Sequence, residues 1–326
     1  MQRRHFPAAL AALGGWECAA AASWKPHNRV EYVIPAAAGG AVDIYGRVMK
    51  KIMDGNGALA GQSFVISNRP GGSGMIAAAP LLQRPGDPHI FTMLSTGFML
   101  GQVLGQFKHD LLRDFTVGPI FFEEALAVAV RADSPFKTGT DLVAQLRRDP
   151  ASVRIAVAPN LLNHIHIGLL KPLAAAGVNM DALTVAAFRA SSESVVALMG
   201  GHVDVVSSSA ANVVEGVRNG SLRALAVSSG QRLKGTLAQV PTWKEQGVDA
   251  VFTSVQGVYF PKGLDAAQIA FWDAQFQRMA AAPEWLHTLA QYEVTPRFMD
   301  HAQASAYVQN EISSATALLR ELKLLK

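Results

Sequence analysis

The chain has 326 residues, 50% hydrophobic and 17% charged, with 28 Gly, 16 Pro and a single Cys. Apolar content this high excludes intrinsic disorder, and the length predicts two domains of ordinary size. One cysteine excludes a disulfide framework and a Cys-rich metal or iron–sulfur site. The net charge of +4 is spread over basic residues that occur singly or in pairs, which excludes a nucleic-acid-binding arm.

Residues 1–23 open with Arg3 and Arg4, run apolar to Trp16 and end in small residues. A basic start, a short apolar centre and an Ala-x-Ala end predict a cleaved export signal. The apolar run is shorter than the 18 or so residues that cross a bilayer, so a membrane anchor is not expected. Twin arginines leave Sec and Tat export both open. Cleavage near Ala22 removes Arg3, Arg4, Glu17 and Cys18, giving a cysteine-free exported protein.

From there extended and helical segments alternate. Residues 29–34 read as a strand, 35–40 as a tight loop, and from Asp43 onward Ile44, Tyr45, Val48, Met49 and Ile52 recur at helical spacing. Further strands are expected at 63–67, 90–94, 117–120, 125–131, 153–158, 183–188, 203–206 and 222–227. Helices are expected at 77–82, 99–104, 164–176, 192–199 and 210–219. The end is helical, at 266–280, 283–291 and 303–324. Such alternation predicts parallel sheets covered by helices. No flexible linker separates the domains, so the extended segments 122–130 and 253–260 are the expected crossings between two α/β lobes. The first domain would then be discontinuous, 24–126 with 255–326, and the second would hold 127–254.

Several residues are placed for chemistry. The loop 35–40, with Ala38, Gly39 and Gly40, precedes a helix beginning near Ala41, Val42 and Asp43. It is either an ordinary tight turn or an anion site made from free helix N–H groups. Asp43 sits where acids cap a first helical turn. Pro70–Gly74, within the turn-rich run 68–74, is a glycine turn or a phosphate nest. Ser95 and Thr96 close the extended segment before the next helix and join the candidate ligand contacts. His164 and His166 are two apart and so diverge on a helix, which argues against metal ligation, though either can donate a hydrogen bond from a helix start. Ser208, within three consecutive serines, is a cap or a hydroxyl donor. Arg189, just after a strand, is a fixed cation for an anionic ligand or a solvated surface residue. No nucleophile–base pair stands out, so no catalytic residues, no metal and no cofactor are expected.

The run Val33-Ile34-Pro35, Gly39-Gly40-Ala41-Val42-Asp43 and Arg47, followed by Asn68-Arg69-Pro70-Gly71-Gly72-Ser73-Gly74, resembles the Bug family of periplasmic solute-binding proteins of tripartite tricarboxylate transporters. Leu198-Met199-Gly200-Gly201-His202-Val203-Asp204, the segment 220–228 and Val240-Pro241-Thr242 with Glu245-Gln246-Gly247 extend the resemblance to about residue 263. The resemblance implies a two-lobed periplasmic-binding-protein fold of type II-like plan, with the ligand cleft between the lobes. It also implies a periplasmic, monomeric, non-enzymatic protein that captures a small carboxylate for a membrane permease or a sensor. In the family, main-chain N–H groups of one loop per lobe hold the carboxylate. The first maps to Ala37–Val42, with Ala38, Gly39, Gly40, Ala41, Val42 and Asp43 as candidate contacts, and a family hydroxyl is replaced by Ala41 or Val42. The second maps to Asn160, Leu161, Leu162, Asn163 and His164, where Asn160 and Leu162 replace two glycines. Phe188-Arg189-Ala190 stands where the family has Tyr-x-Gly, and Ser208 where it often has Asp. These departures predict a more apolar pocket suited to an aromatic or otherwise apolar monocarboxylate, with Arg189 its main charge partner. The alternatives are a hydrolase or other enzyme on the same plan, or a degenerate relative that holds an apolar ligand.

Overall fold

The computed structural model describes residues 24–321 except 37, 40, 159 and 160, together with residues 323–325. The expected export signal lies outside the described residues, and no described helix is long and apolar enough to cross a membrane.

Among the described residues, ten strands pair in two groups. In the first, β1 (Val30–Ile34) lies between β2 (Phe64–Asn68) and β3 (Ile90–Ser95), all parallel. Strand β4 (Phe115–Arg131) runs the length of both groups. The second group holds β5 (Arg154–Val157), β6 (Thr184–Ala187) and β7 (Val205–Ser209), which are parallel, and β8 (Leu222–Val227). Strands β7 and β8 pair antiparallel with the distal half of β4. The chain returns to the first group through β9 (Thr253–Pro261), which is antiparallel to both β3 and β4. A last strand, β10 (Thr295–Met299), pairs with β4 opposite Phe122 and Glu123. The expected strands at 117–120 and 125–131 are therefore one continuous element. Its middle residues, Phe121 and Phe122, are buried and match the apolar run of a two-faced strand.

Helices cover the faces: α1 (Ala41–Gly55), α2 (Met75–Leu82), α3 (Thr96–Val103), α4 (Gly139–Arg148) and α5 (His164–Ala175). They continue with α6 (Ser191–Met199), α7 (Ala210–Arg218), α8 (Ala266–Ala280), α9 (Pro283–Gln291) and α10 (His301–Glu321). Helix α4 was not expected, although its start carries a legible signal. Thr138 Oγ1 accepts the Asp141 N–H and Asp141 returns a bond to the Thr138 N–H, a reciprocal cap, and Arg147 and Arg148 favour the other end.

Each lobe buries a core on both faces of its sheet. In the first, Phe91, Phe260, Trp272 and Phe276 form a contiguous aromatic packing, Trp272 and Phe276 stacking with centroids 5.4 Å apart. In the second, Leu126, Val157, Ile167 and Leu169 share a cluster with Ala315 and Leu319. Helix α10 thus packs Ala304 and Val308 into the first lobe and its last turns into the second. Leu100 of α3 joins that second cluster as well. Apolar packing therefore continues from lobe to lobe beneath the space between them.

Candidate functional site

Four chain segments leave the carboxyl ends of parallel strands and meet around one cleft of about 370 Å³, the position where open α/β sheets take ligands. Pro35 follows β1, and Gly71, Ser73 and Gly74 lie between β2 and α2. Ser95 and Gly97 begin α3. Leu162, Asn163 and His164, from the second lobe, begin α5. A Cβ built on Gly97 would stand 3.5 Å from His164 Nδ1, so the starts of α3 and α5 face each other across the cleft.

Local chemistry explains why those helices start there. Ser95 is extended, and its Oγ accepts the Phe98 N–H at 3.2 Å. Asn163 Oδ1 accepts the N–H groups of Ile165 and His166 at 2.7 and 3.1 Å. Gly74, ahead of α2, takes φ +96°, a left-handed conformation that glycine adopts without a Cβ clash. The amino ends of α2, α3 and α5 therefore border one cavity, each carrying partial positive charge. The remaining wall is apolar, from Met93, Phe98, Leu100 and Leu104, with Gln106 held by the Ser73 hydroxyl at 2.5 Å.

Among the described residues, none that line the cleft carries a formal charge at neutral pH. His164 is half-buried, and burial pushes its pKa down to about 4, so the ring faces the cleft uncharged. Its neighbour His166 is 7% exposed and also lowered to about 4 by burial, and its Nδ1 accepts the Leu162 N–H at 3.0 Å. Leu162 has φ +61°, a left-handed conformation that favours glycine. The loop keeps a glycine-type backbone at a cost of roughly 1 kcal/mol, while the leucine side chain takes cleft space and His166 occupies its N–H.

Of the residues singled out from the sequence, Ser95, Leu162, Asn163 and His164 line this cleft. Thr96 is buried beside it, and its Oγ1 accepts the Val255 N–H of β9 at 3.0 Å. Leu161 is 48% exposed and is not part of the lining. Ala38 and Gly39 are exposed, and Val42 packs on the core of the first lobe. The Ala41 position opens α1, whereas Gly40 and Asn160 lie outside the described residues. Arg189 is exposed ahead of α6, where its N–H donates to Glu193 at 3.3 Å. Ser208 is fully buried and accepts from Asn212 Nδ2 at 3.1 Å. Arg189 and Ser208 do not line the cleft, because β6 and β7 end at positions from which these side chains turn to solvent and to α7. Sequence reading missed Gly97 and Gln106, and it left the Gly71–Gly74 turn undecided. Only the pairing of β3 with β1 and β9 brings these residues beside α5.

Asp43 is 1% exposed and holds the first loop together. Its Oδ2 accepts from Arg47 Nε at 2.8 Å and from the Gly39 N–H at 2.9 Å, and its Oδ1 accepts from Asn68 Nδ2 at 3.0 Å. The Arg47 bond, with the Gly39 N–H next, pulls its pKa from 3.8 to about 2. A depressed carboxylate pKa stabilises the fold above the unfolded value, and that stability is lost as pH falls through the folded value. Asp43→Asn should therefore lose on the order of 2 kcal/mol at pH 7, with the gap to the parent closing between about pH 4 and pH 2. Urea midpoints measured against pH check this, and a gap that ignores pH would place the loss in hydrogen bonding alone.

Two lobes joined by long strands around an interlobe cleft define a periplasmic-binding-protein fold. Solved structures agree. A TctC solute-binding protein from Polaromonas superimposes with TM-score 0.78 at 23% identity, covering 91% of this chain and 99% of that one. Two proteins of Rhodopseudomonas palustris, MatC with bound malate and a protein with adipate, give 0.72 and 0.76, each at 22% identity and covering at least 90% of this chain and 98% of theirs. The model of the tripartite tricarboxylate transporter family receptor, TctC, matches residues 48–324, and the chain belongs to that family. Among curated relatives, a UPF0065 protein of Cupriavidus necator is 27% identical over 100% of this chain and 99% of its own length. BugT of Bordetella pertussis is 24% identical over 95% and 94%.

Proposed function

We propose that this protein is an exported periplasmic receptor, cleaved after its signal segment, that binds one small carboxylate in the interlobe cleft without turning it over. It presents that ligand, as a monomer, to the permease of a tripartite tricarboxylate transporter or to a sensor. The lobes correspond to 24–126 with 255–326 and to 127–254. The passage of β4 through both sheet groups and the return by β9 support this division, with the end of α10 reaching across.

One observation carries the ligand class. The cleft joins the positive ends of three helices to an apolar wall, and no charged side chain among the described residues lines it. Helix ends and neutral donors such as Ser95, Asn163 and His164 suit a single carboxylate. Met93, Phe98, Leu100, Leu104 and Leu162 suit an aromatic or aliphatic body. Additional carboxylates would be desolvated against that wall without a cation, which is costly. The preference is therefore for a monocarboxylate with an apolar body. Two structural neighbours, one with bound malate and one with adipate, support a carboxylate as the ligand class. Isothermal titration with benzoate, hexanoate, adipate and citrate tests the reading. Saturable binding of the monocarboxylates with weak or absent citrate binding is expected, and tight citrate binding with no response to benzoate would overturn it.

A further inference from the structure

A second cavity, of about 520 Å³, lies between the lobes and shares no lining residue with the cleft. One wall is the segment after β8, with Leu233 and Gly235, and the other is the α9–β10 corner, with Leu286 and Glu293. Leu233 and Val294 are buried at its base, whereas Leu286 is 40% exposed although large and apolar.

Glu293 is the unusual residue there. It sits at the corner with φ +52°, a left-handed conformation that costs a non-glycine residue roughly 1 kcal/mol. Its Oε1 accepts the Thr236 N–H at 3.1 Å from the opposite lobe, and the same oxygen lies so close to Gly235 that a Cβ there would approach to 3.0 Å. Its Oε2 is buried and has no hydrogen-bond partner among the described residues. A carboxylate oxygen removed from water and left unpaired is unfavourable, and it marks a place for a donor. The neighbouring charges are committed elsewhere: Glu123 to Arg297, and Arg232 to both carboxylate oxygens of Glu245 at 2.9 and 3.0 Å. Lys234 is exposed and forms no ion pair with Glu293 among the described residues.

We propose that this cavity is a second binding site, for a small organic ammonium ion with an apolar body. The ammonium pairs with the Glu293 carboxylate, and the body lies against Leu233, Leu286, Ala290 and Val294. The site does not depend on what the cleft binds. The volume falls within the range of small-ligand pockets, and a cation–carboxylate hydrogen bond in a partly desolvated setting is of the strong kind.

Titration of the full chain with hexylammonium, and with 1-hexanol as its uncharged counterpart, tests the proposal. Saturable one-to-one binding of hexylammonium is expected, with hexanol at least about tenfold weaker. Glu293→Gln keeps an oxygen for the Thr236 N–H but removes the charge, and it should weaken hexylammonium about tenfold or more while leaving benzoate titration of the cleft as in the parent. Leu286→Asp, at an exposed position, should weaken binding of the body without unfolding the chain. No saturable hexylammonium binding, equal binding of hexanol, or undiminished binding by folded Glu293→Gln would each overturn the proposal.

Discussion

Gly257→Ala should destabilise this protein by roughly 3 kcal/mol or more, a large share of the 5–15 kcal/mol that holds a typical domain folded. Gly257 lies in β9, opposite Leu94 of β3 and Ile120 of β4, where the β4 register shifts. A Cβ built there stands 2.2 Å from the Pro119 carbonyl oxygen and 2.8 Å from Ile120 Cα. Both are main-chain atoms, so no side-chain rotation relieves the contact and the paired strands must separate. These two strands link the lobes, and the damage falls on the element that sets their relative position. Gly55→Ala is the matching control, because a Cβ at that helix end meets nothing within 4 Å. It should be neutral or stabilising by up to about 1 kcal/mol through the unfolded chain. Urea unfolding of both variants checks the pair of signs. Equal effects would show that the close approach at Gly257 is not what makes glycine necessary.

Gly97→Leu should act on binding and leave stability nearly unchanged. Gly97 lies in the first turn of α3 with no positive φ, so leucine suits the backbone and favours the helix. The side chain would project from one lobe toward His164 on the other, into the space the ligand needs. An ordinary contact of 3.5 Å at the Cβ means that Gly97→Ala should be tolerated. The further atoms of leucine should lower carboxylate affinity by about a hundredfold or more, near 3 kcal/mol. Titration with benzoate or hexanoate, alongside a melting curve, separates the two effects. Undiminished binding by a folded Gly97→Leu protein would move the ligand site away from the α3–α5 gap. The site at Glu293 should bind hexylammonium equally well in this variant, since the two cavities share no residue.

Family membership and the structure bear differently on these expectations. Receptor membership and the two-lobed fold rest on the whole chain, whereas ligand chemistry rests on about fifteen lining residues. The same fold in neighbours near 22% identity accommodates malate in one case and adipate in another. Ligand chemistry is therefore argued from the lining, which in this chain includes Leu162 and Met93 and, among the described residues, no lysine or arginine.

Much of the fold was legible because its signals are local. Alternating apolar runs and 3.6-residue periodicity located most strands and helices, and the missing linker pointed to strands that cross between lobes. The position of Asp43 in a first helical turn gave it a capping role, and its three hydrogen bonds, from the Gly39 N–H of the loop, from Arg47 of α1 and from Asn68 of β2, show how it ties the loop down. Other features depended on partners distant in sequence. Strand β10 contains Pro296 and exposed residues, and it forms only because the middle of β4 offers an antiparallel edge about 170 residues earlier. The two expected strands on either side of Phe121 merged because both sheet groups needed one shared element. In the site, the sequence by itself determined which segments begin helices at the carboxyl ends of strands, since Ser95, Asn163 and Gly74 carry that information in their own side chains or lack of one. Only the tertiary structure decided which of those helix starts meet. Pairing β3 between β1 and β9 set Gly97 opposite His164, while β6 and β7 ended with Arg189 in solvent and Ser208 under α7. A cleft is made by contacts between segments about 30 to 130 residues apart, and no periodicity within a segment records which distant segment it will face.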